Sequence, residues 1–193
     1  NENPRIFTTG SCPLTYLLDA CQRRSEEVSE FIALDKDVLH KSYINFLRQG
    51  MRGWFEAMTD KPIVFSKSRT WSEFLPHTFA IDPNSKYLVI LRDLRDIICS
   101  FDSLLWKYPQ VVYGDHENPF YQESFEHRME IYCTDGMSLL GRPLHTLPHM
   151  MEVAQKNPNN FFICKYEDFN EQPRETFQQI YQWLGELNFE HDF

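Results

Sequence analysis

The chain has 193 residues, of which 42% are hydrophobic and 24% are charged, a composition typical of a folded domain with a sizeable core. Its formal net charge of −9 disfavours binding to nucleic acid through overall charge. No apolar run reaches the roughly 20 residues that a membrane-spanning helix needs. The five cysteines are scattered and form no C-x-x-C pair, which favours free thiols in a reducing compartment, so we expect a cytoplasmic protein.

Helical and strand patterns alternate along the chain. Apolar spacing close to the helical period predicts the helices, and short apolar runs between turn residues predict the strands. The predicted helices span 13–31, 37–58, 70–79, 97–106, 120–154 (broken near 136–143) and 174–184; the predicted strands span 63–65, 87–91 and 161–165, and 5–8 is a candidate strand edge. Alternation of this kind indicates an α/β fold with a parallel sheet.

Polar clusters follow each of the three predicted strands. The sequence Ser66-Lys67-Ser68-Arg69 follows the first strand, Arg92-Asp93 follows the second, and Tyr166-Glu167-Asp168 follows the third. Ligands of parallel α/β sheets gather at the carboxyl ends of the strands. Cations, hydroxyls and an aromatic ring at these ends are suited to an anionic nucleotide.

The strand at 87–91 runs directly into a charged turn and then into a helix that carries Ser100. Arg92 can bind a phosphate through two parallel hydrogen bonds, and the amino end of the following helix favours anions. A surface salt bridge between Arg92 and Asp96, with Ser100 as an ordinary helix serine, explains the same residues. The residues alone leave both interpretations open.

Three segments are similar, in order and spacing, to segments of sulfotransferases that use 3′-phosphoadenosine 5′-phosphosulfate (PAPS). They are KPIVFSKSRTW, RDLRDIICS and FFICKYEDFNEQPRETFQQIYQWLG, and they lie within residues 61–187. The second segment resembles the family's 3′-phosphate motif, R-x-L-R-D-x-x-x-S. The closest resemblance is to bacterial and phage-type sulfotransferase domains, which carry a similar K-S-R-x-W.

This resemblance implies a three-layer α/β/α fold with a central parallel sheet, similar to that of P-loop NTPases. It implies transfer of a sulfuryl group from PAPS to a hydroxyl or amine of a small-molecule, carbohydrate or peptide acceptor, with adenosine 3′,5′-bisphosphate as the product and without a metal. By the same resemblance Lys67 is the catalytic residue that reaches the bridging oxygen, Arg92 and Ser100 hold the 3′-phosphate, and Tyr166 lies beside the adenine.

The chain departs from the small-molecule sulfotransferases at Arg69, which occupies the position of their catalytic histidine. An arginine cannot act as a general base at neutral pH. The base must come from another residue, and Glu26, Glu27 and His40 are candidates by residue type alone. Charged residues of these types are more often simply exposed on the surface.

A second departure concerns the phosphosulfate loop with which the family begins. None of the seven glycines lies in a match to G-x-x-x-x-G-K-S/T, and TTGSCP around Gly10 has no basic residue. We therefore expect residues 1–193 to form a single sulfotransferase-like domain that lacks the first strand, the phosphosulfate loop and the carboxy-terminal end. A P-loop nucleotide kinase and a degenerate nucleotide-binding or interaction module without turnover are the alternatives.

Overall fold

The structure, a computed structural model, describes residues 3–107, 124–134 and 140–193. The chain divides into two compact units, residues 1–85 (the amino-terminal unit) and residues 86–193 (the carboxy-terminal unit). Across the described ranges, no helix has the length and apolar character needed to cross a membrane. All five cysteines are free thiols.

The amino-terminal unit combines one pair of parallel strands with four α-helices and a 3₁₀ helix. In chain order its elements are β1 (Ile6–Thr8), α1 (Leu14–Glu27), α2 (Ser29–Ile32), α3 (Lys36–Glu56), β2 (Ile63–Phe65), the 3₁₀ helix (Arg69–Phe74) and α4 (Leu75–Ile81). Strand β1 pairs with β2 in parallel, with Thr8 opposite Phe65 at their carboxyl ends.

The core of this unit forms where the apolar faces of α1 and α3 meet the end of the 3₁₀ helix. Leu14 and Leu18 are one helical turn apart on α1, and Ile44 and Leu47 share a face of α3; all four are buried with Phe74. The apolar residues with helical spacing in the sequence are therefore the buried ones. Their packing against Phe74 holds the start of α1 next to the 3₁₀ helix that follows β2.

The carboxy-terminal unit has the same α/β character. In chain order its described elements are β3 (Tyr87–Leu91), α5 (Leu94–Lys107), α6 (Phe125–Thr134), α7 (Gly141–Lys156), a second 3₁₀ helix (Pro158–Asn160), β4 (Phe161–Lys165), α8 (Tyr166–Glu171) and α9 (Pro173–Leu184). Strand β3 pairs with β4 in parallel, with Leu91 opposite Lys165. The Tyr87 and Phe161 rings stack at the other end of this pair, with centroids 4.9 Å apart.

Helix α9 ends where the sequence predicts, because Gly185 adopts the left-handed conformation with φ of 79°. Only glycine takes up this conformation without a steric penalty from a Cβ atom. The N–H of Glu186 then donates to the carbonyl of Tyr181 at 2.9 Å, which caps the end of the helix.

The α/β class and the parallel pairing of the strands are confirmed, and 5–8 does contain a strand. The predicted helix at 13–31 is interrupted at Val28, whose backbone is extended with ψ of 124°. The segment at 70–79 begins as a 3₁₀ helix rather than an α-helix. Residues 120–123 and 135–139 of the predicted helical segment 120–154, including part of its predicted break, lie outside the described residues.

Candidate functional site

The sheet of the carboxy-terminal unit places Arg92 beside Tyr166. Because Leu91 and Lys165 are register partners, the next residue of each chain segment emerges at the same edge of the strand pair. The guanidinium carbon of Arg92 lies 4.5 Å from the centroid of the Tyr166 ring, which is cation–π geometry. Two residues that the family resemblance predicts to bind one ligand are therefore in direct contact.

The predicted salt bridge between Arg92 and Asp96 is present only as a long contact. Arg92 Nη2 lies 3.9 Å from Asp96 Oδ2, and the two side chains are 33% and 59% exposed. This distance exceeds that of a hydrogen bond, and exposed pairs of this kind contribute little to stability. Within the described residues, the N–H groups of the Arg92 guanidinium thus make no hydrogen bond and can accept a ligand.

The other charges of the turn are engaged with each other. Asp93 Oδ1 accepts hydrogen bonds from the backbone N–H of Arg95 at 2.8 Å and from its Nε at 3.1 Å, and Asp93 Oδ2 accepts one from its Nη2 at 2.7 Å. The hydrogen bonds from the Arg95 side chain, followed by the one from its backbone, lower the pKa of Asp93 to about 2. The hydrogen bonds of the Asp93 carboxylate therefore come from Arg95, and Arg92 is not needed for them.

Ser100 lies on the side of α5 that continues from Arg92. Positions 92, 96 and 100 are separated by four residues each, so Asp96 and Ser100 follow one another along one row of the helix. Ser100 is exposed, and its hydroxyl makes no hydrogen bond to any residue that the structure describes. The predicted 3′-phosphate residues therefore both have unused hydrogen-bonding capacity on a common side of the turn and α5.

In the amino-terminal unit, Lys67 is the second residue after β2 and has a fixed main chain. Its N–H donates to Thr9 Oγ1 at 3.0 Å, and its carbonyl accepts from the N–H of Cys12 at 3.0 Å. The side chain is exposed, and its ammonium group has no hydrogen-bond or ion-pair partner among the described residues. The loop after β1 thus anchors the backbone of Lys67 and leaves its charge available.

A chain of hydroxyl groups holds the segment that surrounds Lys67 against the start of α1. Ser68 Oγ lies 2.8 Å from Thr70 Oγ1, which donates to the buried Thr15 Oγ1 at 2.6 Å. Trp71 Nε1 donates back to Ser66 Oγ at 3.1 Å. These bonds explain why serine, threonine and tryptophan flank the lysine: they form the turn. The part played by Thr15 was missed, since nothing in the sequence pairs it with residues more than fifty positions away.

The three candidate general bases do not gather around Lys67. Thr15 contacts Ser68 next to Lys67, whereas Glu26 lies eleven residues further along α1, about 16 Å away at the rise of an α-helix. Glu27 forms an exposed pair with Arg24, with a 3.2 Å separation. Helix α1 therefore carries both glutamates away from the strand end that holds Lys67.

Glu26 and His40 instead line a cavity of about 270 Å³ between α1, α3 and α4, together with Tyr43 and His77. Burial raises the pKa of Tyr43 to about 12, with a smaller contribution from the nearby Cys21. Burial also lowers the pKa of His77, although the charge of Glu26 opposes this shift. The cavity is thus lined by a neutral phenol and a neutral imidazole at pH 7, together with a carboxylate.

The structure also contains a strand, a short loop and a helix in the order that the phosphosulfate segment requires. Strand β1 is followed by residues 9–13 and then by α1, and the loop contacts Lys67 through Thr9 and Cys12. The N–H groups of Gly10 and Ser11 have no hydrogen-bond partner among the described residues. The loop has no basic residue and so gives no sequence signal of anion binding, but backbone N–H groups bind anions without one.

The residues that the structure describes contain no group of three or more histidine, cysteine, aspartate or glutamate side chains arranged to hold a metal ion. The features present are two parallel strand pairs with a cationic side chain following a strand of each. They define an α/β protein, and ligands of parallel α/β sheets bind at the carboxyl ends of the strands.

The comparisons with known proteins identify the family. The model of the sulfotransferase domain family matches residues 18–190, so the chain belongs to that family of transferase enzymes. A solved structure described as the sulfotransferase domain from the curacin biosynthetic pathway is similar in fold, with a TM-score of 0.51 and 18% sequence identity. The match covers 89% of this chain and 56% of that one. No curated protein sequence matches the chain.

The predicted family and the sulfotransferase fold are thereby confirmed. The chain spans little more than half the length of the solved structure that it matches, and the likeness at this identity concerns the fold alone. The individual roles of Lys67, Arg92, Ser100 and Tyr166 remain predictions.

Proposed function

We propose that the protein transfers a sulfuryl group from PAPS to a hydroxyl or amine of an acceptor and releases adenosine 3′,5′-bisphosphate. The observation that carries this proposal is that Arg92 is positioned and has free hydrogen-bond donors in the part of the chain that the structure describes. Its guanidinium lies against the Tyr166 ring, and its N–H groups make no hydrogen bond within the described residues. Ser100 lies on the same side of α5. Such a pair suits a terminal phosphate dianion.

The residues present fit the chemistry of PAPS. Arg92 and Ser100 offer charged and neutral hydrogen-bond donors for a phosphate, and Lys67 offers an ammonium group without a described partner. Each of these groups is of a type that binds negatively charged groups such as phosphate or sulfate. When bound, PAPS would supply the activated sulfuryl group for transfer to the acceptor, with adenosine 3′,5′-bisphosphate as the leaving group.

Lys67 is assigned the catalytic role. Its ammonium group donates a hydrogen bond to the oxygen on which negative charge develops, and its backbone is held by Thr9 and Cys12. A positive charge at this position stabilises the negative charge of the transition state and so lowers the barrier. Arg92 and Ser100 bind and orient the 3′-phosphate, and Tyr166 borders the adenine.

The loop at 9–13 is assigned the role of the phosphosulfate loop. This revises the expectation that the chain lacks the first strand and this loop, because β1, the loop and α1 occur in the required order and the loop is bonded to Lys67. The N–H groups of Gly10 and Ser11 are the proposed donors to the anion, in the manner of a backbone nest.

Several expectations stay part of the proposal. The acceptor is a small molecule, a carbohydrate or a peptide, and we expect neither a nucleic-acid partner nor a requirement for a metal. We also expect a cytoplasmic location and a single sulfotransferase-like domain over 1–193.

The test is sulfuryl transfer by the full-length protein from ³⁵S-labelled PAPS in the presence of EDTA, with phenols, sugars, amines and peptides as acceptors. The proposal predicts label in at least one acceptor class together with release of adenosine 3′,5′-bisphosphate. Phosphoryl transfer from ATP that requires magnesium, with no transfer from PAPS, would support the kinase alternative instead. Tight nucleotide binding without transfer to any class would indicate a module that lacks turnover.

A further inference from the structure

The contact between Arg92 and Tyr166 is built into the sheet. The register of β3 and β4 brings the two residues to neighbouring positions just after the strands end. One residue further on, the N–H of Asp93 donates to Glu167 Oε1 at 3.3 Å, which ties the turn after β3 to the start of α8. These links bring the two segments together, and the ring of Tyr166 lies against the guanidinium of Arg92, at 4.5 Å from its carbon.

We propose that the ring of Tyr166 is a positioning group for Arg92 and so sets the preference for a nucleotide that carries a 3′-phosphate. The inference rests on the proposed function, and it adds to it, since the family resemblance gives the tyrosine only a place beside the adenine. The cation–π contact holds the flexible arginine side chain in the orientation from which both of its terminal N–H groups can reach a phosphate.

The structure also shows what competes for Arg92. The carboxylate of Asp96 lies 3.9 Å from its Nη2, one helical turn along α5 and in the direction of Ser100. Without the ring, the guanidinium is free to close this distance and form a hydrogen-bonded pair with Asp96. The donors that the phosphate requires would then be occupied by a neighbouring anion.

The contact depends on the ring of Tyr166 and not on its hydroxyl. The hydroxyl has no hydrogen-bond partner among the residues that the structure describes, whereas the ring faces Arg92. Removal of the hydroxyl should therefore change recognition of the 3′-phosphate little. Removal of the ring should leave the Arg92 side chain without the contact that orients it. This separates the positioning role from any hydrogen bond that the tyrosine makes.

The experiment compares the affinities of adenosine 3′,5′-bisphosphate and adenosine 5′-monophosphate by calorimetry in the full-length protein. The ratio of the two affinities measures recognition of the 3′-phosphate alone. We expect Tyr166→Phe to keep the wild-type ratio and Tyr166→Leu to reduce it about fivefold, the size of a partly exposed cation–π interaction. Adding Asp96→Asn to Tyr166→Leu should restore part of the ratio, because the competing charge is gone.

The outcomes separate this inference from the proposed function. If Tyr166→Leu weakens both ligands by the same factor, the ring serves the adenine only and the inference is overturned. If the double variant has the same ratio as Tyr166→Leu, competition by Asp96 is overturned. A wild-type protein that binds both nucleotides equally would refute the proposed function and this inference together. Thermal melting of each variant verifies that it is folded before its ratio is compared.

Discussion

The charged turn after β3 shows how neighbouring residues leave one arginine available. Asp93 accepts three hydrogen bonds from Arg95, and Asp96 stays beyond hydrogen-bonding distance of Arg92. The order Arg-Asp-Leu-Arg-Asp thus pairs its second arginine tightly and its first arginine loosely. A salt bridge and a ligand site are therefore not exclusive interpretations of these residues.

This pairing predicts an unusually acidic carboxyl group. Asp93 should stay ionised down to a pH near its pKa of about 2, and Arg95→Ala should return that pKa toward the ordinary value of 3.8. Because the folded pKa is depressed, the stabilisation from this carboxylate is present above pH about 4 and is lost as the pH falls through about 2. Carbon-detected NMR titration of the aspartate carboxyl groups measures both values. An Asp93 pKa that does not respond to Arg95→Ala would contradict the assignment.

The role of Lys67 predicts a defect in turnover. Lys67→Ala should lower kcat by about 10²–10³-fold, because the lost hydrogen bond acts on charge that develops in the transition state. Binding of adenosine 3′,5′-bisphosphate should change much less. Lys41→Ala, at an exposed position on α3, serves as the matched control and should leave both quantities unchanged. Normal turnover in the Lys67 variant would make this lysine an ordinary surface residue.

At the scale of elements, the start of α3 depends on one cap. Asp35 Oδ1 accepts hydrogen bonds from the N–H groups of Asp37 and Val38 at 3.0 and 3.1 Å. Asp35→Ala should therefore lower the free energy of unfolding by about 1 kcal/mol. Asp35→Asn should keep most of this contribution, because asparagine also caps helices. Urea denaturation followed by circular dichroism measures the difference. Equal midpoints for the alanine variant and the wild type would show that α3 is held by its packing alone.

The elements that the sequence predicted well are those with a strong local signal. The apolar runs at 63–65, 87–91 and 161–165 form strands with the expected bounds, and Gly185 ends the last helix. Helix α8 was missed because its six residues are too few to show helical periodicity, and they follow β4 without a turn.

The sequence indicates those parts of the candidate site that lie within one segment of the chain. It does not indicate the contacts between residues from distant segments. Arg92 and Ser100 are visible in one stretch of sequence. The contact between Arg92 and Tyr166 depends on the register of two strands, and the support of Lys67 by Thr9 depends on the pairing of β1 with β2. Register follows from tertiary packing, which a single sequence does not reveal.

At the scale of the molecule, the amino-terminal unit contains a source of acid sensitivity. His77 Nδ1 is buried without a hydrogen-bond partner in the described residues, and burial lowers the pKa of this histidine below 6.5. Since the unfolded state binds the proton more readily, stability should fall as the pH drops below about 6.5, until the folded-state pKa is passed. The groups that face this histidine across the cavity are Glu26, Lys36, His40 and Tyr43.

Thermal melts between pH 8 and pH 5 measure this sensitivity. His77→Gln cannot titrate, so its melting temperature should depend less on pH than that of the wild type over this interval. Proton NMR titration of the wild type should place the His77 pKa below 6.5. An identical pH dependence in the two proteins would show that another group causes any loss of stability in acid.

The central claim is that this sulfotransferase family member recognises the 3′-phosphate of PAPS through Arg92. The most direct measurement is calorimetric titration of the full-length protein with adenosine 3′,5′-bisphosphate and with adenosine 5′-monophosphate in EDTA. We predict tighter binding of the bisphosphate, and a loss of about 1.5–3 kcal/mol of that affinity in Arg92→Ala, the range for a charged hydrogen bond. The control is Arg174→Ala, which removes an exposed arginine of α9 that pairs with Glu190. This variant should bind both nucleotides like the wild type. Equal affinities for the two nucleotides in the wild type, or unchanged discrimination in Arg92→Ala, would contradict the account.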